Sequence, residues 1–389
     1  MRITKIFFLL LGLFIFINAE AQDRHFTLFN LAPLVINPAY TGSYEGSVRV
    51  GGLIREQSPF IAASNRRVYS TQNIFGDAPL LNVRKRDWVG VGVNIYSDKA
   101  GTFGLGWQTF HASVAYHLSL DSRRNSVLTL GIQGGTIGRS VGKIRGNGDV
   151  WADATRVGES SELDGMNPFT NAGSGMGGVP GGMNNDDPSA NFFDLGAGML
   201  LKSKINRSTN IELGFSLQHI TGNFMLGDSL KTSSNYSLNV PGSNDRNYRI
   251  PKTFILHGTY NVELTNVWSL SPSFLFQQAR NQNEAVLQFL GGYKLMKREV
   301  RDDGRKGKLI KNDDAPKIRF GLGYRLGDAM QVLLGYEVGN LRVGLGYDLT
   351  LSTLSDANGG NGAFELAANY IFKIYKRPDV DPTILCPKF

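Results

Sequence analysis

The stretch Leu341-Arg342-Val343-Gly344-Leu345-Gly346-Tyr347-Asp348-Leu349-Thr350-Leu351 sets large apolar side chains at odd positions against small or charged ones at even positions. A period of two belongs to an extended strand with one apolar and one polar face. The segment before it repeats the pattern: Ile318, Phe320, Leu322, Tyr324 and Leu326 alternate with Arg319, Gly321, Gly323 and Arg325, and Met330, Val332, Leu334, Tyr336 and Val338 continue it. After it, Phe364, Leu366, Ala368, Tyr370 and Phe372 form the last such series. Working backwards predicts further strands at about 283–297, 266–279, 249–264, 208–221, 191–203, 126–139, 105–120, 87–97, 66–76 and 46–57, fourteen with the four above. Most are longer than the ~5–6 residues of a typical soluble strand, as tilted strands crossing a bilayer must be. An even number closes an antiparallel barrel with both strand ends on one side.

Composition agrees with an all-β chain. Gly reaches 47 of 389 residues, about 12% against a usual ~7%, beside 23 Phe, 14 Tyr and 4 Trp, while charged residues make up only 19%. Aromatic residues favour strands and Gly favours tight turns. The only Cys is Cys386, so internal disulfides and Cys-based zinc sites are excluded. His111 and His117 share a strand face but lie about 20 Å apart along it, too far to share a metal ion.

Arg2 and Lys5 precede the apolar run from Ile6 to Ile17, and Ala19-Glu20-Ala21 supplies a cleavage pattern before Gln22. Residues 1–21 therefore read as a secretory signal peptide. No Cys follows the cleavage position, so a lipoprotein anchor is not expected. The expected organisation is a periplasmic lead-in over 22–45, an outer-membrane β-barrel over 46–374 and a periplasmic tail over 375–389. Alternation alone does not say which strand face meets lipid; strand length, strand number and export favour the membrane barrel over a soluble one.

Connection lengths supply a parity check. The longest gaps, roughly 140–190 and 222–248, both follow odd-numbered strands, whereas short links near 121–125, 203–208, 264–266 and 339–340 follow even-numbered ones. Outer-membrane barrels have short periplasmic turns and long outer loops, which places both termini in the periplasm. The charged run from Lys297 to Lys317 departs from this rule. It reads as a solvated loop or as a docking surface for an acidic periplasmic partner.

No catalytic constellation emerges, and no enzyme activity or cofactor is expected. There is no G-x-S-x-G elbow, and pairs such as Gly344/Gly346 lack the following helix of a phosphate cradle. Asn184-Asn185-Asp186-Asp187 offers oxygen ligands without the spacing of an EF-hand. On the lumen face of the last strands, Arg319, Arg325, Arg342 and Lys373 stand against Glu337, Asp348 and Glu365, which points to paired charges filling the interior. The glycines beside them leave room for a narrow channel. The net charge of +8 is dispersed, without the clustered stripe of a nucleic-acid binder.

One further element stands apart: Phe26-Thr27-Leu28-Phe29-Asn30-Leu31-Ala32-Pro33-Leu34-Val35-Ile36-Asn37-Pro38-Ala39-Tyr40-Thr41-Gly42. It resembles the N-terminal signature of the PorP/SprF family, outer-membrane proteins of the Bacteroidetes type IX secretion and gliding machinery. Tyr324-Arg325, Arg342, Tyr347-Asp348 and the terminal Cys386-Pro387-Lys388-Phe389 extend the resemblance to the last third of the chain. It implies a non-enzymatic barrel supporting export or surface attachment of specific cargo, notably large adhesins, with secretion components and outer-membrane lipid as further partners. On this reading Asn37, Pro38, Ala39, Tyr40, Gly42, Tyr324, Arg325, Arg342, Tyr347, Asp348, Cys386, Pro387 and Phe389 are family-motif positions and candidate partner contacts. For Asn37 to Gly42 the plainer reading is a turn feeding the first strand, and for Cys386 a free thiol in an extended tail. A passive solute porin is the alternative function.

Overall fold

The structure, a computed structural model, describes residues 25–57, 69–83, 86–100, 105–123, 125–140, 189–206, 208–221, 224–225, 250–279, 282–295, 298–300, 306–309, 315–352, 355 and 360–374. The expected signal peptide, Asn184 to Asp187 and the tail with Cys386, Pro387 and Phe389 lie outside them.

Fourteen long strands form the wall: β1 (Val48–Gln57), β2 (Tyr69–Asn82), β3 (Trp88–Ala100), β4 (Leu105–Ser119), β5 (Ser126–Ser140), β6 (Ser189–Asn206), β7 (Thr209–Gln218), β8 (Thr253–Glu263), β9 (Trp268–Ala279), β10 (Gln282–Lys294), β11 (Lys317–Arg325), β12 (Ala329–Val338), β13 (Leu341–Thr350) and β14 (Asn361–Phe372). Each pairs antiparallel with its sequence neighbours, and β1 pairs with β14 from Val48↔Phe372 to Gln57↔Ala363, which closes the barrel. All fourteen expected strands are present. The clearest deviation is β2, expected to end near 76, which runs on to Asn82 through an irregularity between Pro79 and Leu81. The alternation fades there, but Asp77 still points inward to take a two-point ion pair from Arg49 at 2.8 and 2.9 Å. Within the charged run, Arg298–Val300 pairs with Lys306–Leu309 as a small separate hairpin.

β1 begins and β14 ends on the side of the short links, the turn side; the connections at 141–188 and 219–252 leave from the opposite, loop side. Apolar side chains such as Ile74, Ile132, Phe289, Leu322, Leu334 and Leu366 are exposed on the outer face, while Asn73, His111, Gln133, Gln288, Gln331 and Glu365 are buried within. That inversion of the soluble pattern is what a lipid-facing wall requires. Among the described residues no helix is long and apolar enough to cross a membrane.

Candidate functional site

The interior is occupied by the chain itself. Residues 25–45, expected as a lead-in outside the barrel, pack over most of their length against lumen-facing side chains; Phe26, Leu28, Phe29, Ala32, Leu34, Val35, Ile36 and Ala39 are all buried. Two prolines shape the segment. Pro33 opens a single helical turn (Pro33–Ile36) and Pro38 a second, tighter one (Pro38–Tyr40). Proline suits a first helical position because its missing N–H has no acceptor there anyway. Asn37, held extended as a residue before proline must be, caps the second turn by accepting the Ala39 N–H at 2.9 Å. Gly42 then turns the chain at φ +70°, where a side chain would be strained and would meet the Gly90 backbone.

The Asn-Pro-Ala element lies on bare wall. Gly131 and Gly198 face each other across β5 and β6. A Cβ at Gly131 would come within 2.4 Å of the Ala39 nitrogen, and one at Gly198 within 2.0 Å of Asn37 Oδ1. The Asn37 amide donates to the carbonyls of Met199 at 3.0 Å and Phe215 at 3.2 Å, where β6 and β7 meet, and contacts His257 Nε2 at 3.1 Å. Gln218 donates to the Val35 and Ile36 carbonyls and Ser216 to that of Ile36. Tyr40 stacks on His257, with centroids 5.3 Å apart, and the Lys202 ammonium lies over its ring. Further along, His117 Nε2 is 2.8 Å from the Thr41 carbonyl, the Trp88 indole donates to Gly42, and Lys202 donates to the Ser43 carbonyl. The contacts of His117, Trp88 and Lys202 sit towards the turn side, whereas Ser216 and Gln218 lie at the loop-side end of β7.

The other end of the segment is held by charge near the loop side. The N–H groups of Thr27 and Leu28 both donate to the Glu365 carboxylate, at 2.8 and 2.7 Å, and the Thr27 hydroxyl donates to Asp348. Gln288 donates to the Thr27 carbonyl and Gln331 to its hydroxyl. Arg55 bridges Asp348 and Glu365, Arg325 bridges Asp348 at 3.1 Å and Glu284 at 3.2 Å, and His25 contacts Glu284. Glu284 is the third residue of β10, counted from its loop-side end. His25 therefore lies near the loop side, opposite the side where β1 begins.

The expected motif residues thus divide. Asn37, Pro38, Ala39, Tyr40 and Gly42 come together in the lumen, and Arg325 and Asp348 meet beneath Thr27. Tyr324 is exposed and Tyr347 half-buried on the outer face, whereas Arg342 is exposed at the turn-side end of β13. Lys373, expected in the lumen, lies exposed just past β14. The room expected beside Gly344 and Gly346 is taken by Leu28, Leu31 and Thr27, so it is not a channel. Thr27, Arg55, Glu284, Gln288 and Glu365 are the partners that sequence reading missed as a set. Alternation places Arg55 on the lumen face, but its carboxylates lie on strands about 300 residues away along the chain.

The family described as "Type IX secretion system membrane protein PorP/SprF" matches residues 18–370. No curated protein matches the chain. Among solved structures, a Pseudomonas aeruginosa FadL homologue is similar at 12% identity and a TM-score of 0.44, over 86% of this chain and 93% of that one. The Ralstonia pickettii toluene transporter TbuX (10%, TM-score 0.43, 87% and 91%) and the P. putida toluene transporter TodX (11%, 0.43, 88% and 94%) are similar to the same degree. Likenesses of this size carry no inference about a ligand.

Proposed function

We propose a role that starts from family: the chain belongs to the PorP/SprF family of type IX secretion system membrane proteins, and we read it as a closed platform that holds an exported partner at the cell surface. The observation that carries this reading is the interior segment. A solute pore needs a continuous aqueous path, and here Leu28, Val35, Ile36 and the Asn37 to Gly42 element take up lumen space on strands from β3 to β14. With most of its interior committed to its own chain, the barrel has its outer surfaces and its two mouths to offer a partner. The cargo is a secreted type IX substrate such as a large adhesin, met on the loop side, with other secretion components on the turn side.

Deleting the gene in the source bacterium and labelling intact cells with antibody to exported adhesins tests the role. Loss of one adhesin from the surface, restored by the intact chain, is expected. Unchanged display of every adhesin, with wild-type barrel correctly assembled, sinks the reading. The passive-porin alternative predicts steady ion conductance in planar bilayers, and the filled lumen predicts none.

A further inference from the structure

The interior segment does not fill the lumen evenly. Towards the turn side of β9 to β14, the wall carries two adjoining rows of inward-facing residues. One row runs in register from strand to strand as Lys294↔Lys317, Lys317↔Glu337, Glu337↔Arg342 and Arg342↔Asn369. The other runs Ser269↔Gly292, Gly292↔Arg319, Arg319↔Gly335 and Gly335↔Gly344, small residues around one cation. Leu31, lying over Gly344, bounds the recess on its loop side, and the neighbouring Asn30 is exposed. Solvent reaches in: Arg342 is exposed, and the side chains of Arg319 and Glu337 retain about a quarter of their accessibility.

The charges do not balance within this patch. Arg319 pairs with Glu337 at 2.6 Å and Lys294 with Glu263 at 2.9 Å, but Lys317 and Arg342 make no hydrogen bond or ion pair among the described residues. Lys294 directly opposite Lys317 is a like-charge cross-strand pair, an arrangement that opposes folding. Two buried polar atoms beside the cations, Ser269 Oγ and Asn369 Oδ1, also have no hydrogen-bond partner among the described residues. Buried groups of this kind are normally satisfied, and an unsatisfied one calls for an explanation. The loop-side network also leaves Gln288 Oε1 without a hydrogen-bond partner among the described residues, but its carboxylates all meet donors or cations.

We propose that this recess is a binding site for an acidic peptide segment of a protein partner, taken up from the turn side with its carboxylates on Arg342 and Lys317. Arg342 and Lys317 supply cations and Ser269 a hydroxyl donor for carboxylates, and Asn369 Oδ1 an acceptor for a peptide N–H. The site faces the lumen, so membrane lipid headgroups do not reach it, and the interior segment closes it towards the loops. The site deepens the platform reading, resting on it only for the idea that secretion components meet this side.

Full-length barrel in detergent micelles is titrated into fluorescein-labelled octaglutamate, read by anisotropy at low and high salt. Binding that salt weakens is expected, roughly tenfold weaker in the Arg342→Gln/Lys317→Gln double variant, the scale of removing charge-assisted contacts. Arg342→Lys should retain most of the binding, and Arg123→Gln, an exposed turn-side cation outside the lumen, should leave it unchanged. Unaltered heat-modifiable migration on gels checks that each variant still forms the barrel. No binding by the intact chain, or equal binding by the double variant, overturns the proposal. So does displacement of the peptide by equimolar inorganic phosphate, which marks a small-anion site, or binding that appears only after removal of 375–389, which assigns the recess to the chain's own tail. Adhesin display in cells is a separate readout, so failure here leaves the platform reading standing.

Discussion

The two ends of the interior segment are held by different chemistry. At Thr27 and Leu28 the backbone donates into Glu365 and the Thr27 hydroxyl into Asp348, carboxylates held by Arg55 and, for Asp348, by Arg325 as well, all of them buried. At Asn37 to Gly42 most partners are neutral, namely carbonyls, an indole, imidazoles and bare glycine, and a buried ion pair, Arg49–Asp77, holds the Tyr40 carbonyl and the Gly42 N–H. The first end depends on charges that leave a large penalty if one partner is removed. The second depends mainly on shape and on the absence of side chains opposite, with charge confined to its Gly42 end. A fastening of each kind, one near each mouth, holds a segment of about twenty residues that has only single helical turns of its own.

The largest effect should come from removing the segment. A chain without residues 25–44 leaves Glu365, Asp348, His257 and Gln218 facing an empty lumen, and is expected to lose the compact, heat-modifiable band on gels. A normal band would show that the wall is stable without either end. Next, Glu365→Ala strands Arg55 beside a half-filled network and should cost about 3–5 kcal/mol in urea unfolding. A cost below that of Asn37→Ala would reverse the ranking of the two ends.

At the neutral end, Gly198→Ala drives a Cβ into Asn37 and should cost about 1–3 kcal/mol as overpacking. Asn37→Ala, which drops the side chain's contacts to Met199, Phe215, His257 and Ala39 but leaves space, should cost about 1–3 kcal/mol as well. Since the two residues touch, the double variant should cost less than the sum, and strict additivity would place the clash elsewhere. The smallest effect belongs outside both ends: Arg319→Ala breaks a partly exposed pair with Glu337 and should shift stability by no more than about 1 kcal/mol.

Much of the wall was legible residue by residue. The alternation from Leu341 to Leu351 and from Ile318 to Leu326 maps onto β13 and β11 within a residue or so, because a strand's period is set by its own backbone. β2 ran past its expected end because Asp77 is kept inward by Arg49 on the neighbouring strand, a reason invisible along the chain. The Phe26 to Gly42 stretch was legible as a distinct element, and Asn37 before Pro38 as extended backbone. Its place was not, since nothing local separates a segment lying outside a barrel from one threaded inside it.

By itself, the sequence determined the number of strands, which side chains share a face, their parity and a turn over Asn37 to Gly42, all of them matters of local backbone preference and side-chain period. Only the tertiary structure decided that the N-terminal segment is the core of the barrel. Closing fourteen strands encloses Gly131, Gly198, Arg55, Asp348 and Glu365 around a space too wide for their side chains to fill. Burying those unsatisfied charges and bare glycines is favourable only when a further piece of chain supplies the missing donors and volume.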